Sequence, residues 1–286
     1  SVNDLKLKEI LSFGLFVFIG GASVILVTRV DMFMIGSMLE DGTGEGLKQV
    51  AFYTVAFFIG NAIKVPGKSI GAISIPLVAK ASEKQDYKQI QTLYTKSSIN
   101  QLIIGGVLFL CIWLNIDEIF SLLPTKFQGG KWVVFYIAIA QLFSMANGVN
   151  GTIIVNSKYY RYDLYTNIIL VFVTIATNYL LIPEYGIDGA AMATAISVLL
   201  FNLIRLILIK VKMNMHPFSF QTIKAILLLF AMFFALNFLP NSNYAFVDII
   251  WKSIVVVILF IPSVMYFNLS EDISLMIKEL KDRFLV

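Results

Sequence analysis

The stretch Leu164 to Ile209, LYTNIILVFVTIATNYLLIPEYGIDGAAMATAISVLLFNLIRLILI, holds two long apolar runs separated by Pro183-Glu184-Tyr185-Gly186. At about 1.5 Å per residue each run can cross a hydrocarbon core about 30 Å thick. Both must be helices, because an open strand edge in lipid leaves amide groups unpaired. The same pattern recurs on either side. Apolar runs of roughly 17 to 30 residues place spans at Ile10 to Leu39, Val50 to Ala79, Ile99 to Leu114, Trp132 to Val155, Leu164 to Ile182, Ile187 to Ile209, Ile223 to Leu239 and Val247 to Phe267. Short connectors such as Glu40-Asp41-Gly42-Thr43-Gly44 and Pro240-Asn241-Ser242-Asn243 hold the turn residues. The expected fold is all-α: a polytopic membrane bundle of eight transmembrane helices.

Composition agrees. The chain has 286 residues, 58% hydrophobic and 14% charged, with a mean hydropathy of +0.81. A soluble domain carries about 25% charged residues, so a soluble enzyme is excluded. Cys111 is the one cysteine and His216 the one histidine, which removes an internal disulfide, a two-imidazole metal site and a histidine relay. The opening Ser1-Val2-Asn3-Asp4 carries neither Met nor a signal-peptide pattern, and the expectation is that an upstream segment has been cut away.

Basic residues set the orientation, since Lys and Arg are retained on the cytoplasmic side. Lys6, Lys8, Lys80, Lys84, Lys88, Lys96, Lys158, Arg161, Arg205, Lys210, Lys212, Lys224, Lys278, Lys281 and Arg283 fall on one side. Lys48, Lys126, Lys131 and Lys252 fall on the other. Both termini are therefore expected in the cytoplasm. The tail Ser270 to Val286 places Ile273, Met276, Ile277, Leu280 and Phe284 on one face, which suits an interfacial helix or a solvated end helix, with Ser270 as its cap.

An ionisable residue deep in a span costs a few kcal/mol and asks for a partner, a wet cavity or a ligand. Arg29 lies about 6 Å from the midpoint of the first span, Lys64 within about 1 Å of the midpoint of the second, and Lys68 about 5 Å further on. Lys64 and Lys68 share a face and repel unless an anion sits between them. Lys68 and Arg29 can instead snorkel toward opposite interfaces. Asp31, two residues from Arg29, points around the helix and serves either a structural ion pair or a functional role. Gln141 and Asn147 on the fourth span and Asn178 on the fifth lie in polar stripes that suit either sugar hydroxyls or contacts between helices. Gly189, Ala193 and Ser197 suit close packing, and Pro66, Pro76 and Pro262 permit kinks. The acidic pair Asp117-Glu118 reads as solvated. There is no Gly-rich phosphate loop for ATP and no nucleophile-base set on a long connector.

Three stretches carry a family likeness: Thr28-Arg29-Val30-Asp31-Met32-Phe33-Met34-Ile35-Gly36, Ala51-Phe52-Tyr53-Thr54-Val55-Ala56, and Leu181 to Thr194. The chain resembles the polysaccharide transport branch of the multidrug, oligosaccharidyl-lipid and polysaccharide flippase superfamily, which includes O-antigen translocases. The resemblance implies two six-helix lobes around a central cavity plus two extra helices. Residues 1–212 would be the second lobe, family helices seven to twelve. Residues 213–286 would hold helices thirteen and fourteen and the end helix, and the first lobe would be the missing partner.

It further implies a bacterial inner-membrane transporter, not an enzyme, that flips undecaprenyl-diphosphate-linked oligosaccharides by alternating access for polysaccharide biosynthesis. Partners would be that glycan lipid, membrane lipids and a polysaccharide polymerase, with no nucleic acid. Arg29, Lys64 and Lys68 would attract the diphosphate, and Gln141, Asn147 and Asn178 would line the sugar path. Asp31 would tune Arg29 or bind a coupling cation, and no cofactor or metal is called for. The competing readings are a drug or cation antiporter of the same superfamily and, more remotely, a glycosyltransferase, polymerase or ligase acting on lipid-linked glycans.

Overall fold

The computed structural model describes residues 29–124, 127, 129–242 and 244–284, the last five of these for backbone only, together with Leu11, Gly14, Leu15 and Phe18. Half of the first span, and Lys6 and Lys8 before it, lie outside the described residues, as do Lys126, Asn243 and the side chains of Leu280, Lys281, Arg283 and Phe284. The described residues are helical, with no strand among them. The helices are α1 (29–38), α2 (Glu45–Asn61), α3 (Val65–Glu83), α4 (Tyr87–Trp113), α5 (Ile116–Ser121), α6 (Lys131–Ala146), α7 (Asn150–Val155), α8 (Arg161–Met213), α9 (Phe220–Leu236), α10 (Ala245–Tyr266) and α11 (Glu271–Phe284).

Among the described residues, four helical stretches are long and apolar enough to cross a membrane: Glu45–Glu83, Tyr87–Trp113, Arg161–Met213 and Ala245–Tyr266. Lys131–Ala146 and Phe220–Leu236 are apolar but shorter. The described residues thus form helices of which several have the length and composition of membrane spans.

Local chemistry explains the breaks. Pro66 has no N–H to return to the carbonyl of Ala62, and its ring crowds that carbonyl, so α2 and α3 are joined by a 3-10 turn, Ala62–Lys64. Pro76 and Pro262 stay inside α3 and α10. Between α6 and α7 the chain turns at Gly148 (φ 57), where a Cβ would lie 2.7 Å from Ser97 Oγ and 2.8 Å from the Ser98 amide. Only glycine meets both the left-handed backbone and the close approach to α4.

The connector Pro183 to Gly186 is shorter than the sequence suggests. Helix continues through Pro183, and α8 folds back only at Gly186 (φ 58, ψ −134), giving arms 161–185 and 187–213. Turn residues close the first loop, where Glu40 Oε1 accepts the amides of Gly42 and Gly44 at 3.0 Å.

Three apolar clusters hold the bundle. One joins α4, α6, α9 and α10 around Leu110, Met145, Val256 and Phe260. A second joins α1, α2, α5, α6 and α8 around Ile35, Tyr53, Ile137 and Ile182. The third joins α3, α4, α7 and α8 around Val78, Tyr94, Ile153 and Ile209. Gly189, Ala193 and Ser197 are all buried, as close packing requires.

The end helix is tied to the bundle. Ser270 Oγ accepts the Ile273 amide at 3.2 Å, capping α11, and donates to Asn100 Oδ1 at 2.5 Å. Lys96 and Asn100 of α4 donate to the Asp272 carboxylate at 3.0 and 2.9 Å. Burial pushes the Asp272 carboxyl up, but these hydrogen bonds and the Lys96 charge outweigh it and hold the group below its ordinary 3.8. A carboxyl whose folded value is depressed contributes stability that is complete above the unfolded value and lost as pH falls through the folded one. Acidification below pH about 4 therefore releases α11 from α4. Hydrogen exchange in 271–284 rises there, and Asp272→Asn shows the same rise at neutral pH. Protection unchanged in both would place the docking elsewhere.

Candidate functional site

Two polar centres lie within the helices. The first is built on Asp31 of α1, only 2% exposed. Tyr53 of α2 donates its hydroxyl to Asp31 Oδ2 at 3.0 Å, Thr194 donates to the same oxygen at 2.5 Å, and Asn178 Nδ2 donates to Oδ1 at 2.7 Å. Asn178 and Thr194 stand on opposite arms of α8, so the fold-back at Gly186 brings them to one carboxylate. No basic residue pairs with Asp31 among the described residues, which departs from the structural ion pair kept open above. Asn178 Oδ1 and Thr174 Oγ1, one turn apart, are buried and unpartnered. A single carboxylate among hydroxyl and amide oxygens suits a proton or a hard monovalent cation. No group of three His, Cys, Asp or Glu side chains that could hold a metal occurs among the described residues.

Arg29 is exposed, with Nη1 3.9 Å from Met32 Sδ, while Asp31 is buried. The two therefore diverge around α1 as their spacing predicts.

The second centre is basic. Lys64 closes the 3-10 turn and is half-buried, and Lys68 is exposed one turn later on α3. Neither has an ion-pair or hydrogen-bond partner among the described residues. Lys64 feels the like charges of both Lys68 and Arg205. Arg205, grouped above with the cytoplasmic basic residues, is not a solvated loop residue. Its Nη2 forms an ion pair with Asp163 Oδ1, and the two side chains are 12% and 15% exposed. The guanidinium lies 4.0 Å from the Phe201 ring centroid, Asn167 Nδ2 donates to Asp163 Oδ2 at 3.1 Å, and Arg205 Nε is buried without a partner.

Gln141 and Asn147 are buried on and just after α6. Asn147 Nδ2 bonds back to the Phe143 carbonyl at 2.8 Å, while its Oδ1 and Gln141 Oε1 have no partner. Neither is bonded to Asp31 or the lysines. Bridges between helices come from other residues: Asn150 to Asn202 at 3.1 Å, and Thr177 with Ser197 at 3.4 Å.

The acidic pair Asp117-Glu118 is not simply solvated. Lys131 pairs with Asp117 at 2.7 Å, and buried Glu118 pairs with Lys252 at 2.6 Å, with Asn241 Oδ1 accepting a second Lys252 hydrogen bond at 2.7 Å. Burial of Glu118 beside a lysine contributed from α10 overturns the solvated reading.

No family model matches the chain, and comparison with curated proteins finds no match.

Proposed function

We propose that the chain forms part of a transporter that carries a diphosphate-bearing, lipid-linked oligosaccharide across the bacterial inner membrane by alternating access. The observation that carries this reading is the pair Lys64 and Lys68, on the stretch Glu45–Glu83, with no acidic partner among the described residues. Cations left without a carboxylate at that depth are retained at a cost that a passing anion offsets. On this reading the eight apolar runs are family helices seven to fourteen. Residues 1–212 then rock against a second lobe, and 213–286 supply two further spans and α11. Gln141 and Asn147 keep free acceptors for sugar hydroxyls. No bond of the cargo is made or broken.

Asp31 supplies the coupling site in this scheme. Its three donors hold the carboxylate between α1, α2 and both arms of α8, so binding of a proton or monovalent cation there changes contacts among four segments at once. The same cage favours, as a second reading, a cation-coupled drug exporter. The two differ in the sign of the cargo, since basic residues without partners repel a cationic drug.

The test is Lys64→Ala in cells that depend on the protein for glycan export. Lipid-linked glycan builds up on the inner leaflet and export falls about tenfold or more, with membrane abundance of the protein unchanged. Wild-type export by this variant would remove the anion path. Accumulation of unfinished, shorter glycans on deletion of the protein would instead favour an enzyme.

A further inference from the structure

The pair Asp163–Arg205 joins the first turn of one arm of α8 to the far end of the other, next to α7. Buried ion pairs are weak evidence for stability, because desolvating both charges costs about what the attraction returns, so a pair in this position asks for another role. Its geometry is incomplete in a specific way. Asp163 engages Nη2 alone, because its second oxygen accepts from Asn167. Nε, the neighbouring donor of the same guanidinium edge, is buried and unpartnered. A guanidinium edge is matched by two oxygens held on one centre, and phosphate presents them. Stacking on Phe201 holds the plane of the group, and Nη1 packs against Gly151, where a Cβ would lie 2.7 Å from it.

We propose that Arg205 is a third cation of the anion path and that Asp163 is a built-in placeholder, displaced when a phosphate group takes both Nε and Nη2. This deepens the anion-carrier reading above and rests on it. When the anion leaves, Asp163 returns to Arg205 and redraws the two arms of α8 together. Loading of the cargo is thereby tied to the spacing of the arms that also hold Asn178 and Thr194, the donors to Asp31.

The test uses the purified protein in lipid nanodiscs, titrated with inorganic pyrophosphate by calorimetry. Arg205→Lys keeps the charge but loses the fork and weakens binding about tenfold. Asp163→Asn removes the competitor and tightens binding about fivefold. Because Asp163→Asn leaves a buried guanidinium uncompensated, it can fail to fold. The double variant Asp163→Asn/Arg205→Gln removes both charges, folds, and binds about tenfold more weakly than the parent. If the folded single variants and the double bind like the parent while Lys64→Gln binds weakly, the placeholder is wrong and the anion path stands. If Lys64→Gln also binds like the parent, or the parent does not bind, both fall.

Discussion

If the chain carries a lipid-linked glycan as proposed, Asp31→Asn leaves the protein folded and cuts glycan export by about tenfold or more. Tyr53 and Thr194 both donate to Oδ2, so the carbonyl oxygen of the introduced amide replaces that oxygen and keeps both bonds. The new amide nitrogen then faces Asn178, whose Nδ2 now donates to Asp31 but whose Oδ1 has no partner. Rotating the Asn178 amide turns a clash of two donors into a hydrogen bond, but gives up the 2.9 Å bond from Nδ2 to the Thr174 carbonyl. The substitution also removes an unpaired buried charge, whose desolvation costs several kcal/mol. These two changes oppose one another, and thermal unfolding therefore occurs near the parental temperature. What is lost is the one group in the cage that can take a proton or neutralise a cation, so on the proposed transport reading coupling is lost while the fold is kept. Asp31→Leu separates the two effects, because it orphans the donors and destabilises by about 2 kcal/mol. Normal export by a folded Asp31→Asn protein would reduce Asp31 to a structural residue.

The sequence carried the helices better than it carried their meetings. Apolar runs placed both arms of α8, α9 and α10 within a few residues, Pro66 marked the 3-10 turn, and Ser270 marked a cap, because each depends on neighbours a few positions away; α4 begins at Tyr87, well before its run, and the run Trp132 to Val155 is broken into α6 and α7. Asp31 and Asn178 stood out singly as polar groups in apolar runs. Their union did not, since it depends on where α8 folds back, and Tyr53 and Thr194 look like ordinary helix residues until that fold-back is known. Arg205 was legible and misread. It lies inside the run Ile187 to Ile209 but near its end, where a basic residue reads as part of the loop, and only the return of the first arm of α8 buries it against Asp163. Glu118 was misread for the opposite reason. A carboxylate in a short connector is usually wet, and only the return of α10, from which Lys252 projects, buries it.

Lys252→Ala lowers stability by about 3 to 5 kcal/mol, the largest loss expected from any single substitution here. Lys252 and Glu118 are 5% and 10% exposed, and the ammonium also donates to Asn241, so three elements meet at one nitrogen: α10, α5 and the connector before α10. Truncation strands the Glu118 carboxylate in a site where no other cation is paired with it among the described residues, and a stranded buried charge costs more than the pair ever contributed. Asp248, one turn earlier on α10, cannot compensate. It is itself negative and already accepts the Ser242 amide and the Trp251 indole. The double variant Glu118→Gln/Lys252→Met removes both charges at nearly constant volume and recovers most of the loss, because a well-filled neutral site is about as stable as a buried pair. Thermal unfolding in one detergent or lipid, with parent, both singles and the double compared, measures the coupling directly. If the double is as unstable as the sum of the two singles, the pair carries no coupling and α10 is held by the apolar cluster it shares with α4, α6 and α9.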